Sequence, residues 1–246
     1  MKDTILLFAG ALLGWLMTAF LYPLARPAEA LSRRVWKIRP VDAWVEQDPS
    51  NIWAGTPPWV GASYWFPGLI ATAPPELATE WWGWARERSG QDAGQTTLKV
   101  TVQARDGISL IIEGVKLHVR AHRPVPEGGV VARARVGGAS MNPRRIEINL
   151  DWNGVGSMSW LDRDEHLAGP PSFTLAPGEI EQFHVWAQTR EGYHEWELEL
   201  LMVIDGHRHS QMINDGGKPF VTIGTTGQRV LAWNGSTWTD EETFSG

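Results

Sequence analysis

The sequence predicts a mainly β chain: an N-terminal transmembrane helix, then an Ig-like antiparallel β-sandwich with one short added helix. Three observations predict this. From residue 96 onward apolar and polar residues alternate at period two, the pattern of half-buried strands. Asp-Gly and Pro-Gly pairs recur between those runs at sandwich-like spacing. At the front, Thr4 to Ala25 is 22 residues without a charge. As a helix it reaches roughly 33 Å, enough to cross a bilayer core.

Composition bounds the rest. The residues after the anchor suffice for one well-cored domain with additions. Hydrophobic content is 43%, so folding needs no metal or disulfide staple. The absence of cysteine excludes disulfides and thiolate chemistry. A formal charge of -6 argues against nucleic acid as a partner of the whole chain. That charge is uneven: residues 1–50 carry +1 (6 basic, 5 acidic), which leaves -7 for residues 51–246. The basic residues are 17 Arg and 5 Lys, a bias consistent with a high-GC bacterial gene.

In order, residues 1–25 form the expected anchor and make the lipid bilayer the first partner. Ala28-Glu29-Ala30 is an A-x-A pattern, so cleavage after Ala30 stands as the alternative to a retained anchor. Residues 26–40 are the basic juxtamembrane segment. Leu31, Val35 and Ile38 form a stripe, with Arg33, Arg34 and Lys37 mostly off it. An amphipathic helix over anionic headgroups and a solvated linker with stop-transfer charges both fit. Five basic residues follow the span within 26–39 and one, Lys2, precedes it. The positive-inside rule therefore favours a cytoplasmic C-terminal domain; the A-x-A pattern and the frequent export of anchored sandwiches point outward.

Residues 41–89 are rich in Trp and Pro. Eight of the 15 Trp lie between Trp36 and Trp84 without a periodic face, as expected of rings covering the main domain. An aromatic platform for sugars built on Trp53, Trp59 and Trp65 is the competing reading. Within this segment 75–88 reads as a helix. Pro75 suits its first turn, Gly90 its end, and Leu77, Trp81, Trp84 and Ala85 its apolar stripe.

The sandwich domain spans 90–224, with roughly nine strands expected. Leu98, Val100, Val102 and Ala104 face inward, then Asp106-Gly107 reads as a tight hairpin turn. Val115, Leu117, Val119 and Ala121 continue, with Gly114 as a bulge. Ile146, Ile148 and Leu150 form the next inward row. Glu181 to Gln188 is a strand after the turn Ala176-Pro177-Gly178. The clearest hairpin turns at Asp205-Gly206, with Trp196, Leu198, Leu200, Met202 and Ile204 inward and Glu195, Glu197 and Glu199 outward. Phe220 to Ile223 closes the set. Residues 225–246 give a terminal hairpin at Asn234-Gly235 and an acidic tail.

The blocks GGASMNPRRIEINLD (137–151), LAPGEIEQFHVWA (175–187), YHEWELELLMVIDGHRH (193–209) and GGKPFVTIG (216–224) resemble a group of actinobacterial single-pass membrane-anchored β-rich proteins of unknown function. The resemblance covers about 90–224 and implies an anchor, a β domain and a bacterial source. It implies no activity, cofactor or site residue.

Chemistry-bearing clusters are few. His207 and His209 share one strand face, but no third metal ligand stands at a signature spacing. Asp162-Arg163-Asp164-Glu165-His166 lacks the register of a calcium loop and reads as a solvated loop. Ser157 and Ser159 have no nucleophile-elbow context, and no phosphate loop or dinucleotide fingerprint occurs. Glu195, Glu197 and Glu199 form an acidic row. Lys116, His118 and Arg120 form a basic row, and the two rows can pair if their strands are neighbours; as solvent faces they carry little energy. No catalytic residue, metal ligand or cofactor is predicted. The expected function is a non-enzymatic interaction or scaffolding module at the membrane, with a protein partner there. The alternatives are a ligand-binding sandwich, or an enzyme with a carboxylate or metal site that no motif reveals.

Gly10, Gly14 and Thr18 recur at four-residue spacing in the anchor, which lets two helices approach closely. Replacing Gly10 and Gly14 with Ile is expected to abolish self-association in a membrane dimerisation reporter. An unchanged signal would remove the anchor as a dimer interface.

Overall fold

The computed structural model describes residues 41–53, 62–133, 144–152, 155–162, 166–168 and 172–241. All belong to the second of two compact units, Val41–Gly246. The expected anchor (1–25), the basic segment (26–40), Trp59, Arg163, Asp164, Glu165 and the tail 242–246 lie outside the described residues. Among the described residues no helix is long and apolar enough to cross a membrane.

The domain is mainly β. One sheet has six strands in the order β1 (Val41–Glu46), β4 (Gln95–Ala104), β11 (Ile180–Gln188), β7 (Arg145–Asn149), β8 (Ser157–Leu161), β9 (Leu167–Ala168). The other has ten. Its path is β10 (Phe173–Leu175), β5 (Leu110–Arg123), β12 (Tyr193–Ile204), β14 (Phe220–Ile223), β3 (Gln91–Ala93), β2 (Ser63–Phe66), β6 (Val130–Arg133), β15 (Arg229–Trp233), β16 (Trp238–Asp240). Off that path β13 (His207–Ile213) pairs with β12. The sheets are antiparallel-rich, with three parallel pairs where a purely antiparallel sandwich was expected: β11 with β7, β14 with β3, and β15 with β6.

The inner faces share one core. Leu98, Val100, Val102, Phe183, Val185, Ile146 and Ile148 come from the six-stranded sheet, and Leu110, Ile112, Trp196, Leu198 and Leu200 from the other. Leu98, Val100, Val102, Ile146, Ile148, Trp196, Leu198 and Leu200 are positions the alternation predicts; Leu110, Ile112, Phe183 and Val185 complete the core. On β5 the inward phase changes from Leu110 and Ile112 to Val115, because the register slips at Gly114. The expected bulge is there, and it lets one long strand keep an apolar face to the core on both sides of the slip.

Asp106-Gly107 does not close a hairpin. It carries the chain from β4 in one sheet to β5 in the other. Gly107 has φ 73° and Asp106 is not in the left-handed region, so this turn lacks the two positive φ values that match hairpin twist. At Asp205-Gly206 both residues do have them, 50° and 78°, and β12 and β13 pair directly.

The helix is shorter than expected. A 3₁₀ turn, Ala78–Glu80, leads into α2 (Trp81–Glu87); α1 is the single turn Pro49–Ile52, capped by Asp48 accepting from the Ser50 N–H. Because α2 starts late, Leu77 falls off its stripe and is 60% exposed, whereas Trp81, Trp84 and Ala85 are buried. They pack with Tyr64 and Phe66 of β2, Val130 and Ala132 of β6 and Leu231 of β15. Ser89, at φ 60°, ends the helix. The Ser89 N–H donates to Arg86 O and the Gly90 N–H to Ala85 O, closing the helix end. A Cβ at Gly90 would lie 2.8 Å from that Ala85 oxygen, so glycine is required by close approach.

The Trp-rich segment is therefore part of the domain, not an overlay. Val41 is fully buried and β1 forms six register pairs with β4. A chain beginning at Gly90 removes β1, β2 and the helix and uncovers both clusters. Compared with one beginning at Pro40, it is expected to lose its cooperative thermal transition and to aggregate on size exclusion. Equal stability and monodispersity of the two would contradict this architecture.

Candidate functional site

Three places bring charged or aromatic groups together. The first is the outer face of the larger sheet. There β5 and β12 are neighbours, and the charge rows meet diagonally: His118 Nε2 lies 2.8 Å from Glu199 Oε2 and Arg120 binds Glu197, while Arg123, outside the expected row, lies 3.1 Å from Glu195 Oε1. Burial raises the pKa of Glu197, but hydrogen bonds from Asn214 and Arg120 outweigh it and hold the carboxyl below its usual range. The rows thus satisfy each other across strands, and such partly exposed pairs contribute little each.

The second is the outer face of the six-stranded sheet. Trp53 meets His184 edge-on at 5.3 Å, and the Arg145 guanidinium sits 4.3 Å above the Trp186 ring. Trp65 is elsewhere, buried in the larger sheet against Gly129, where a Cβ would clash with its indole nitrogen. Trp53 and Trp65 therefore form no common platform. A further cluster serves packing: Trp84 stacks on Trp238, and Trp81 and Trp233 meet Trp238 edge-on, under the terminal hairpin.

His207 and His209 stand opposite Ile204 and Met202, on the exposed strand β13. Among the described residues no group of three or more His, Cys, Asp or Glu is placed to hold a metal ion. Asp162 accepts from the His166 N–H and closes its own loop. Ser157 and Ser159 lie on β8, paired with Asn149 and Glu147 of β7.

The third place is one end of the sandwich, and no motif marked it. A cavity of about 630 Å³ opens where β4 starts and where β7 and β11 end; Gln95, Asn149, Asp151, Gln188, Thr189 and Arg190 line much of it. A polar corner fixes its floor. Asp151 Oδ1 accepts from the Thr189 hydroxyl at 2.5 Å and from the Glu191 N–H at 3.3 Å, and Oδ2 accepts from the Arg190 N–H at 2.8 Å. His194 is fully buried, with Nε2 2.8 Å from Glu191 O and 3.1 Å from Thr189 Oγ1. Its ring stacks on His122 at 4.6 Å, with 10° between planes. Gly192 (φ 77°) permits the bend, since a Cβ there would lie 2.9 Å from His122 Nε2.

Hydroxyl, imidazole and carboxylate converge here, so the proton inventory decides what they do. The threonine has one proton and two close acceptors, the Asp151 carboxylate and, at 2.6 Å, Glu191 O; the ionised carboxylate is the stronger of the two. The short contact to Glu191 O requires the His194 proton on Nε2. That leaves no lone pair aimed at Thr189, while His194 Nδ1 is buried without a hydrogen-bond partner. A nucleophile's base needs the reverse: a bare nitrogen at the hydroxyl and an orienting acid on the other nitrogen. The corner is a clamp that holds the cavity floor.

The chain matches no family model, no curated protein and no solved structure.

The titration of the corner and of the other buried groups has a definite sign. Burial lowers the pKa of His194, and burial together with Lys99 pushes His184 down to about 4. Asp151 is lowered because its three donors and His194 outweigh its burial. Each folded pKa is below its unfolded value, so each contribution is complete above that value and is lost as pH falls. For His184 the loss runs from 6.5 to about 4. Asp92, raised by burial, works in the opposite direction and softens the decline. The thermal midpoint is expected to fall as pH drops from 6.5 towards 4, less steeply in His184→Phe and in His194→Gln. A pH-independent midpoint in the native chain, or identical slopes in all three, would contradict the assignment.

Proposed function

We propose that this chain is a non-enzymatic binding module tethered to a membrane, with its recognition site in the cavity at the sandwich end. The tether rests on the uncharged run Thr4 to Ala25 and the basic residues after it; the resemblance to membrane-anchored β-rich proteins supports the same reading. A bilayer is then the first partner and a ligand at the cavity the second. The charge asymmetry favours the cytoplasmic side. An Ig-like kinship belongs to the same proposal, supported by two facing sheets and the buried Trp196 between them.

The observation that carries the proposal is the clamp beneath the cavity. Its volume is in the range of small-molecule sites, and its floor is fixed by hydrogen bonds before any ligand arrives. Preorganised polar groups without an activated nucleophile suit recognition rather than turnover. A protein-docking reading has an observation of its own: Trp44 and Ile180, 51% and 54% exposed, lie on the same outer face of the six-stranded sheet.

Thr225 lines the cavity, and Thr225→Trp fills it from the rim. Saturation-transfer NMR of the full chain against a library of small polar fragments is expected to give mutually competing hits that vanish in this variant. Hits that persist in Thr225→Trp would place recognition elsewhere. Conversion of a bound fragment to product would make the module an enzyme.

A further inference from the structure

We infer that the cavity is an anion site, taking a ligand that bears a phosphate or carboxylate, with Arg190 as its principal grip. This rests on the proposed role of the cavity as the recognition site.

The inference follows from which groups at the cavity still have hydrogen bonds to give. Asp151 is its carboxylate, and both oxygens already accept from the corner. Gln188 donates to Gln95 and Gln95 to Thr97, so these amides are tied to each other. Asn149 uses its oxygen to accept from the Asp151 N–H, which leaves its NH₂ as a donor without a partner among the described residues. Arg133 spends one edge on Glu241 at 3.0 Å. A guanidinium has five N–H groups, so most of that fork stays available. Arg190 is exposed, and its side chain has no ion pair or hydrogen bond among the described residues. The unspent groups thus include two guanidinium forks and the Asn149 amide donor, beside the Ser63 and Thr225 hydroxyls and the Gln188 side-chain carbonyl oxygen. Donors in excess over acceptors, with the Arg190 charge unpaired, favour an anion with several oxygens.

Arg190 is also held ready. Its N–H donates to Asp151, and its carbonyl accepts from the Thr226 N–H at 3.0 Å. Its backbone packs so closely on Gly224 that a Cβ there would lie 2.5 Å from Arg190 O. A side chain on a pinned backbone loses less freedom on binding than one on a loose loop.

The cavity has a definite place along the sheet. The strand β4 runs from Gln95, at the cavity, to Ala104, which pairs with Val41. Its ten residues separate the two ends by about 30 Å.

The test is calorimetric titration of the full chain in a neutral, sugar-free detergent with inorganic phosphate, glucose 6-phosphate and glucose. Glucose 6-phosphate is expected to bind, glucose to bind far more weakly, and Arg190→Gln to weaken glucose 6-phosphate by about tenfold or more with an unchanged melting midpoint. Arg190→Lys, which keeps the charge but loses the fork, is expected to fall between them. Equal binding of glucose 6-phosphate by the native chain and Arg190→Gln, or no binding of either anion, would overturn the inference. If anions fail while polar fragments still bind in a Thr225→Trp-sensitive way, only the anion assignment falls. If neither binds, the cavity is no recognition site.

Discussion

The burial of alternate β12 side chains between the two sheets is the constraint on which the rest depends. Trp196, Leu198 and Leu200 are fully buried and Met202 nearly so, and among the described residues no other strand pairs with three neighbours. The Trp196 indole N–H donates to Thr222 Oγ1 at 2.9 Å, so even its one polar atom is satisfied inside. Period two then leaves no freedom: with the even residues inward, Glu195, Glu197 and Glu199 must face out. There β5 supplies Arg123, Arg120 and His118, which reach the glutamates diagonally across the strand pair. The charge ladder is a consequence of the core, not a separate device.

The same constraint builds the corner. His194 is one period before Trp196, so the strand that buries the indole also buries the imidazole. A buried imidazole needs partners, and the chain supplies them by bending back at Gly192, which brings Thr189 and Glu191 O to Nε2. Asp151, at the end of the β7 segment, joins from the other sheet. The clamp therefore links both sheets at the cavity end, while Asp106-Gly107 and Pro177-Gly178 link them at the other. A cavity between such fixed points is preformed, as recognition requires.

Much of the fold was legible because burial imposes a simple period. The inward rows on β4, β7 and β12 follow from alternation alone, and the phase change around Gly114 marks the bulge. Strands of two to four residues, such as β2, β3 and β9, are too short to show a period, which is why more strands are present than were expected. Asp106-Gly107 and Asp205-Gly206 read alike in sequence but differ in backbone at the aspartate, and that is set by where the next strand packs. The corner was invisible for a different reason. Asp151, Thr189 and His194 are widely spaced, and each belongs to a residue type common in β proteins. Only the parity of His194 with Trp196 hinted at a buried imidazole. Trp53 and Trp65 were paired by proximity in sequence, yet one faces the outside of the smaller sheet and the other fills the larger.

The central claim is that the Thr189, His194 and Asp151 corner is a clamp under a binding cavity and not a nucleophile with its base. The tautomer of His194 separates the two directly, and imidazole ¹⁵N NMR of the full chain at neutral pH reads it. The account predicts a neutral ring with the proton on Nε2 and a bare, pyridine-like Nδ1. A proton on Nδ1 with a bare Nε2 facing Thr189 would contradict it and make the threonine an activated hydroxyl.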